Sequence, residues 1–515
     1  MNASPAIEDS GSQARAAARP VADLPHRIGN AVLVGIPLAF SALVYFPIIR
    51  NFFFADDFIT LYNMRNQDFL PFILVPRGGH LHATFYTFFS LWYRLFGTNP
   101  EPYFWISLLT HLVNVGLLFS IIRLLTQSTL LACFGATLWG TSPMNEAALG
   151  WISVFAQAIV SCFMLILLRQ IVLVANGHPV RRYGPALWCL LLLAACTCFG
   201  TGIGVTLVFP AVAFLLLPAS PTRTRVVLIF CVLAVILPGF YFGLTRLTTA
   251  LYMPRTAPVF FEPNLVTNLV MLGYLVGYGI VTLLIGHLTA RLDYPSMVAF
   301  AVIGLFVAAL VATFITASWP VKRRLLACVV LSLGCYGIIV VGRAAFFALA
   351  NNPQAFIRAG RYHYAGPIPL AIALCIMLAH AESLYPLRRA VKTGLLVGSI
   401  GLAGLAYFWV GKPIDHHANA RREATQVMAT VQQTIAAAPP QQDVYIPNRP
   451  FQSVGPIFVS RQDLFPGWAG VFVIFSPDNV VDGKRVRFVT ADREGLIAAG
   501  EGYRTATLIV APPEG

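Results

Sequence analysis

Long apolar runs separated by short polar connections dominate the first 411 residues of the chain. A helix needs about 20 residues to cross the hydrocarbon core of a bilayer, and only helices satisfy all their backbone groups there in an open chain. Twelve such runs can be read, at about 29–49, 103–123, 128–142, 150–174, 186–200, 203–217, 226–244, 266–286, 297–317, 325–347, 366–382 and 393–411. The pattern therefore predicts an all-α polytopic membrane protein.

Basic residues in the connections predict the orientation of these helices. Residues 1–28 lack apolar periodicity and contain three arginines, so we expect a disordered cytoplasmic arm. Strict alternation from there places the basic stretches at 322–324 and 388–392 outside the cell, against the positive-inside tendency. If one crossing between residues 245 and 300 is removed from the count, both basic stretches lie on the cytoplasmic side. We therefore predict that the Gly-rich run 266–286 is re-entrant or interfacial, which leaves eleven transmembrane helices.

The character of the chain changes after residue 411. A polar helical stretch and a "PPQQD" break precede short strand-like runs at 471–475, 486–490 and 507–511. This tail, 412–515, is predicted to be a small soluble α+β domain outside the cell, attached to the transmembrane domain at 29–411.

Composition agrees with a membrane protein and excludes several other classes. The chain is 57% hydrophobic and 11% charged, with a mean hydropathy of +0.72. Its net charge of +14 arises largely from basic residues beside apolar runs, which are orientation signals and not a nucleic-acid surface. The nine cysteines lie in or beside apolar runs without a CxxC pair, so we expect packing residues and no disulfide framework or zinc site.

The first external loop, 50–102, is the longest connection in the membrane part, and long loops are often functional. It contains an aromatic, amphipathic stretch at 80–97, typical of a helix at the membrane surface, and the adjacent pair Asp56 and Asp57 in "FFADDF". The pair has two interpretations: a cap for the following helix, or an acidic pair offset by a cation or a basic donor. The local pattern does not choose between them.

Three ordered motifs resemble the amino-terminal half of GT-C superfamily glycosyltransferases, in particular the protein O-mannosyltransferase-like enzymes and their bacterial relatives. They are "FFADDF", the stretch "HLHATFYTFFSLWYRLFG" with its continuation to residue 119, and "SPMNEAALGWIS" at 142–153. The resemblance covers about residues 30–170. In place of the Arg-Pro step that the family often has before the amphipathic segment, this chain has "HLHAT", with His82 at about the position of the arginine.

The resemblance implies a GT-C-type enzyme of a bacterial inner membrane that acts on the periplasmic face. Such an enzyme transfers a sugar, with inversion, from a polyprenyl-phosphate carrier to a hydroxyl of a glycan, lipid or protein acceptor. Asp56 and Asp57 match the acidic pair that serves as the family's catalytic signature. By the same resemblance, Glu146 faces the cavity.

The expected chemistry fits these residues. An acceptor hydroxyl attacks the sugar more readily when a carboxylate removes its proton, and the leaving phosphate needs no protonation. We expect Asp56 to be this base and Asp57 to support it, although the two roles could be exchanged. The second carboxylate can instead orient the acceptor or hold a divalent cation, Mg²⁺ or Mn²⁺.

Cationic side chains outside the membrane are needed for the donor phosphate. Arginine can bind phosphate through two parallel hydrogen bonds. The candidates for donor binding, Arg343, Arg358, Arg361, Tyr362 and His363, lie at 342–364, and His82 and Glu146 complete the predicted set of substrate-binding residues. The competing interpretation of the arginines is contact with lipid headgroups.

Two other functions are compatible with a polytopic protein. A transporter or flippase of a lipid-linked glycan would need polar groups along its route, but none of the eight carboxylates between residues 24 and 411 lies in the middle of an apolar run. A non-catalytic envelope assembly protein would not need the aspartates. The closely spaced glycines of "GTGIG" (200–204) follow no strand, so we predict a turn and not a nucleotide-binding loop.

Overall fold

The computed structural model describes residues 24–53, 57, 60–61, 63–64, 67–77, 80–97, 99–252, 264–288, 296–349, 357–384, 389–410, 444–447, 480–481, 484–489 and 507–508. The helices with described bounds are α1 (Leu24–Tyr45), α2 (Phe69–Leu74), α3 (Ala83–Phe96), α4 (Glu101–Thr126), α5 (Thr129–Gly140), α6 (Glu146–Leu149), α7 (Ile152–Ala175), α8 (Gly184–Cys198), α9 (Gly200–Leu216), α10 (Pro221–Tyr252), α11 (Leu265–Ile285), α12 (Met297–Thr316), α13 (Trp319–Leu349), α14 (Pro367–Leu384) and α15 (Arg389–Val410). Short 3₁₀ turns occupy Phe46–Arg50, Pro143–Asn145 and Gly360–Tyr362.

Apolar helices account for every run expected to form one. Eight stretches, including Glu101–Thr126 and Pro221–Tyr252, are long and apolar enough to cross a membrane, and four shorter apolar helices accompany them. Large side chains such as Leu228, Met297 and Leu305 are exposed on the outside of the bundle, as expected for surfaces that face lipid. The chain is a multi-pass membrane protein, and the predicted all-α polytopic fold is confirmed.

The two ends of the bundle can be told apart by contacts between helix termini. At one end, which we call the site end, the Tyr45 hydroxyl donates to the Ser142 carbonyl and the Tyr241 hydroxyl accepts from the Leu81 amide at 2.9 Å. At the opposite end, the Asn176 amide donates to the Leu124 carbonyl at 3.2 Å. These bonds fix the direction in which α1, α4, α7 and α10 run.

Helix α11 does not continue this alternation. Its amino-terminal half packs against a cluster that contains Val340 and Tyr362, and its carboxyl end is followed by His287, which is hydrogen-bonded to Thr141 at 3.2 Å. All of these neighbours belong to the site end, so α11 lies across that end of the bundle. The segment is one unbroken helix and is itself long and apolar enough to cross a membrane. Its re-entrant or interfacial placement stays a prediction.

The remaining long helices run from end to end. Helix α12 begins with Ala299 beside Met144 and Ile357 at the site end. It ends with Thr316 hydrogen-bonded to His380 of α14 at 3.0 Å. Helix α13 begins at the opposite end, where Arg323 donates to the carbonyl oxygen of Leu217. Helices α12 and α13 therefore run between the two ends, and the number of eleven transmembrane helices stays a prediction.

The "GTGIG" segment is not a turn, so that prediction is wrong. Residues 200–204 form the first turns of α9. A Cβ atom on Gly202 would lie 2.0 Å from the Ala195 carbonyl oxygen, and one on Gly204 would lie 2.0 Å from the Gly334 carbonyl oxygen. The glycines therefore allow α9 to approach α8 and α13 closely, which is a common use of small residues between membrane helices.

Buried polar side chains link α4, α5, α7 and the segment before α14 near the site end. His111 donates through Nε2 to the Gly140 carbonyl oxygen at 2.8 Å and accepts through Nδ1 from the Tyr364 hydroxyl at 2.8 Å. Asn114 donates to the carbonyl oxygen of Ala158 at 2.9 Å and to Tyr364 at 3.2 Å. The bonds satisfy polar groups between helices and hold the helices in register.

The described part of the tail forms a four-stranded sheet in the order β2-β3-β1-β4. Strand β1 (Val444–Pro447) pairs in parallel with β3 (Lys484–Val489) and β4 (Thr507–Leu508), and β2 (Val480–Val481) pairs antiparallel with β3. Strand runs were expected at 486–490 and 507–511, and β3 and β4 overlap them. The run expected at 471–475 and the polar helix after residue 411 lie outside the described residues. All nine cysteines are free.

Candidate functional site

Asp57 is fully buried and bonded to the start of helix α7. One of its carboxylate oxygens accepts a hydrogen bond from the Ser153 amide at 2.6 Å and another from the Ser153 hydroxyl at 2.6 Å. Trp151, the N-cap residue of α7, provides no side-chain cap of its own. Asp57 therefore supplies the missing acceptor at a helix terminus where free amides and the helix dipole favour an anion.

This contact changes the two interpretations of the acidic pair. Asp57 does cap a helix, and that helix is α7, which begins almost one hundred residues later. The first loop is thereby fixed to the motif at 142–153. Asp56 lies outside the described residues, and its predicted role as base stays a prediction.

Glu146 lies beside the same loop. A Cβ atom on Gly150 would be 3.0 Å from a Glu146 carboxylate oxygen and 3.1 Å from the Asn51 amide nitrogen. The glycine therefore lets the Glu146 and Asn51 side chains approach the backbone between α6 and α7. Glu146 therefore lies near Asn51, at the start of the first loop, and its predicted place in the substrate cavity stays a prediction.

Arg361 approaches this neighbourhood from the other side. The 3₁₀ turn Gly360–Tyr362 packs against α6, and the Arg361 guanidinium lies 5.5 Å from the ring centre of Trp151. Trp151 is two residues from Ser153, the partner of Asp57. The Trp151 ring supports the cation by a cation–π contact, so that a half-buried arginine lies close to the predicted catalytic loop.

A second cationic group lies nearby at the end of α13. His80 packs near this helix end, because a Cβ atom on Gly342 would be 3.6 Å from its ring. Burial and the positive charge of Arg343 lower the His80 pKa to about 3. Arg343 is therefore placed beside His80 and His82, separate from the Arg361 group but at the same end of the bundle.

His82 has a structural position. Its Nδ1–H donates to the Cys198 carbonyl oxygen at 3.0 Å, and the ring is buried between Tyr86 and Phe199. Burial lowers its pKa to about 4, although the hydrogen bond to Cys198 acts in the other direction. His82 attaches the first loop to the end of α8, and its predicted contact with substrate stays a prediction.

His363 and Tyr362 have structural contacts of their own, and their predicted binding of the phosphate stays a prediction. His363 accepts from the Tyr336 hydroxyl at 3.0 Å and donates to the Ile357 carbonyl oxygen at 2.7 Å, so both ring nitrogens already have partners. Tyr362 is buried against Tyr336 in a small apolar cluster. Both side chains hold the 357–363 segment in place. Arg358 is half-buried in this segment, between the buried residues Ile357 and Ala359.

The residues suit a metal ion only in part. One Asp57 oxygen already accepts two hydrogen bonds from Ser153, and no cluster of three or more His, Cys, Asp or Glu side chains occurs among the described residues. Mg²⁺ and Mn²⁺ prefer several oxygen ligands. A divalent cation held by Asp56 and Asp57 stays a prediction, and proton removal by a carboxylate does not require it.

Sequence reasoning missed three residues that organise this site: Asn51, Trp151 and Ser153. A helix start without a capping side chain, as in "LGWIS", is a signal that an acceptor must come from elsewhere. The sequence could not indicate which of the eight carboxylates between residues 24 and 411 would supply it.

No protein-family model matches the chain, and no curated protein matches it in sequence. Among solved structures, the chain is similar to the crystal structure of ArnT from Cupriavidus metallidurans in the apo state, with 12% sequence identity and a TM-score of 0.47. The similarity covers 92% of this chain and 95% of that chain. We infer the function from the side chains at the site end and from the amino-terminal motifs.

Proposed function

We propose that the protein is a membrane glycosyltransferase that moves a sugar from a polyprenyl-phosphate donor to an acceptor hydroxyl, with inversion at the anomeric carbon. The observation that carries the proposal is the attachment of the acidic loop to α7 through Asp57 and Ser153, beside Glu146 and Arg361. A carboxylate pair and an arginine at one end of an apolar bundle can serve a lipid-linked donor with a phosphate at the membrane surface.

Asp56 is the proposed base. Its carboxylate takes the proton of the acceptor hydroxyl while the oxygen attacks the anomeric carbon. The bond from that carbon to the phosphate oxygen breaks, and polyprenyl phosphate leaves as an anion. Asp57 is a positioning residue, because its hydrogen bonds to Ser153 fix the backbone next to Asp56.

Arg361 is the proposed binding residue for the donor phosphate. Its guanidinium is held over Trp151 and can bind two phosphate oxygens as negative charge develops on the leaving group. Arg343, beside His80, is a second cation at the same end. Glu146 is proposed to orient the acceptor, and the acceptor is a glycan, a lipid or a protein.

The proposed location is the inner membrane of a bacterium, with the site end and the tail in the periplasm. Helix α1 begins at the opposite end, where the basic connections gather. Donor and acceptor would then meet outside the cytoplasm.

The proposal can be tested with the purified full-length protein in lipid nanodiscs. Polyprenyl-phosphate donors carrying radiolabelled hexoses or pentoses are incubated with the protein and an envelope extract, and release of free polyprenyl phosphate is measured. We expect release from at least one donor with wild type and none with Asp56→Asn. Equal release by both proteins would refute the proposal.

A further inference from the structure

A second polar site lies at the opposite end of the bundle, away from the proposed catalytic loop. A cavity of about 550 Å³ opens between the connection that precedes α8 and the connection between α9 and α10. Four arginines line it: Arg181, Arg182, Arg223 and Arg225. Arg181 and Arg182 precede α8, whereas Arg223 and Arg225 lie in the first turns of α10, so that the fold, and not a single basic run, gathers them around one cavity.

These arginines lack a carboxylate on the elements that carry them. The sequence contains no Asp or Glu from residue 147 to residue 261, and none of the cavity-lining residues is acidic. Arg323 adds a further positive charge at the wall through its bond to Leu217, a lining residue. The positive charges around the cavity repel each other, and an anion that enters the cavity offsets this repulsion.

The remaining lining groups suit a phosphate. The Ser220 and Thr222 side chains line the cavity beside the arginines, and hydroxyls and guanidinium groups both donate hydrogen bonds to phosphate oxygens. The Arg223 guanidinium lies 4.8 Å from the ring centre of Phe214. This contact fixes one arginine, while Arg181 and Arg225 are exposed and can move onto a ligand.

The surroundings indicate that the phosphate belongs to a lipid. Leu190 of α8 and Leu228 of α10 are 62% and 63% exposed. Along their helices, both lie about two turns from the cavity towards the middle of the bundle. Tyr183, at the rim, is 74% exposed, as is common for aromatic residues at the level of headgroups. A headgroup in the cavity would therefore have its acyl chains beside apolar helix faces.

We propose that this cavity binds the headgroup of an anionic phospholipid in the leaflet opposite the catalytic loop. Basic pockets between membrane helices on the cytoplasmic side are suited to such headgroups. The site is independent of the proposed sugar transfer, because none of its residues belongs to the Asp57 or Arg361 neighbourhoods. The site would bind anionic phospholipids selectively at this end of the bundle.

The test uses the full-length protein in nanodiscs of phosphatidylcholine that contain a minority of phosphatidylglycerol. Lipids retained by the protein are counted by native mass spectrometry for wild type, for Arg181→Gln/Arg225→Gln, and for the control Arg123→Gln/Lys322→Gln. The control removes two positive charges from the same end but outside the cavity. Circular dichroism verifies that each variant is folded.

We expect the cavity variant to retain about tenfold less phosphatidylglycerol than wild type and the control to stay within twofold. Equal losses in the two variants would overturn the proposal, since lipid binding would then follow total charge. A separate arm adds inorganic phosphate to protein in phosphatidylcholine alone. Binding of phosphate that depends on Arg181 and Arg225, without retention of phosphatidylglycerol, would also overturn it, because the ligand would be a free anion.

Discussion

Asp57 accepts hydrogen bonds of 2.6 Å from both the amide and the hydroxyl of Ser153. The contact joins the acidic loop to the first turn of α7 and places Arg361 and Trp151 close to the same loop. It also separates the roles of the two aspartates, since Asp57 is engaged with a helix terminus and the neighbouring Asp56 is the proposed base.

Removal of the Ser153 hydroxyl should weaken this attachment. We expect Ser153→Ala to reduce the rate of sugar transfer by about tenfold, because one hydrogen bond to a charged group contributes about 1.5–3 kcal/mol, of which part is retained through the amide. Ser153→Thr keeps the hydroxyl and should restore most of the rate. The control is Ser161→Ala on the same helix, which removes a bond to the Gln157 carbonyl oxygen. Equal rates for Ser153→Ala and Ser161→Ala would contradict a positioning role.

Arg361 should affect donor binding more than folding. We expect Arg361→Gln to raise the KM for the donor about ten- to hundredfold, because a charge-assisted pair with phosphate is lost. The KM of Arg361→Lys should lie between those of wild type and Arg361→Gln, since lysine keeps the positive charge but lacks the planar guanidinium group. Arg94→Gln, an exposed arginine on α3, should leave the KM unchanged. An unchanged KM in Arg361→Gln would show that the donor phosphate binds elsewhere.

The buried histidines of the first loop predict a loss of stability in acid. Burial lowers the pKa values of His80 and His82 to about 3 and 4, from a usual value of 6.5. The unfolded chain therefore binds protons first as the pH falls below about 6.5, and the folded state loses on the order of 1 kcal/mol per pH unit for each histidine. The melting temperature should fall between pH 6.5 and 4.

Substitution isolates this effect. The melting temperature of His80→Gln and of His82→Gln should fall less steeply with pH than that of wild type. His178→Gln, at an exposed position of the opposite end, should keep the wild-type slope. The measurement is thermal unfolding in detergent at pH 7, 6, 5 and 4. If all three variants lost stability as steeply as wild type, these histidines would not be the groups that titrate.

The position of α11 across the site end can be checked by cysteine labelling. In a Cys231→Ser background, Asn264→Cys and Leu288→Cys should react with a membrane-impermeant reagent from the same side as Gln67→Cys. His178→Cys should react only from the other side. All four positions are exposed. Labelling of Asn264→Cys together with His178→Cys would mean that α11 crosses the membrane.

The long apolar helices could be predicted from the sequence because each helix that crosses a membrane needs a long apolar run. The run 266–286 was singled out as non-crossing because the basic residues at 322–324 and 388–392 conflict with strict alternation, and that placement stays a prediction. The turn expected at 200–204 was wrong for a physical reason: Gly202 and Gly204 serve close packing between helices. Local composition does not distinguish this use of glycine from a turn.

The site was only partly predictable. Asp57 could be selected because carboxylates are rare between residues 24 and 411, Glu146 through the family resemblance, and Arg361 from its predicted place at the outer mouth. The structure places all three at the site end. The use of Asp57 as a cap for α7 could not be predicted, because it depends on a contact between segments far apart in the sequence. For the same reason, sequence reasoning could not show that both nitrogens of His363 are already bonded.

The central claim is that Asp56 acts as the base of a sugar transfer. It is tested most directly by comparing the envelope glycans and glycoproteins of cells whose own copy carries Asp56→Asn, Asp57→Asn or the control Asp68→Asn, an exposed carboxylate of the same loop. With protein levels in the membrane equal, we predict that a sugar present with wild type and with Asp68→Asn is missing with Asp56→Asn and reduced with Asp57→Asn. Glycans unchanged in all three strains would contradict the claim.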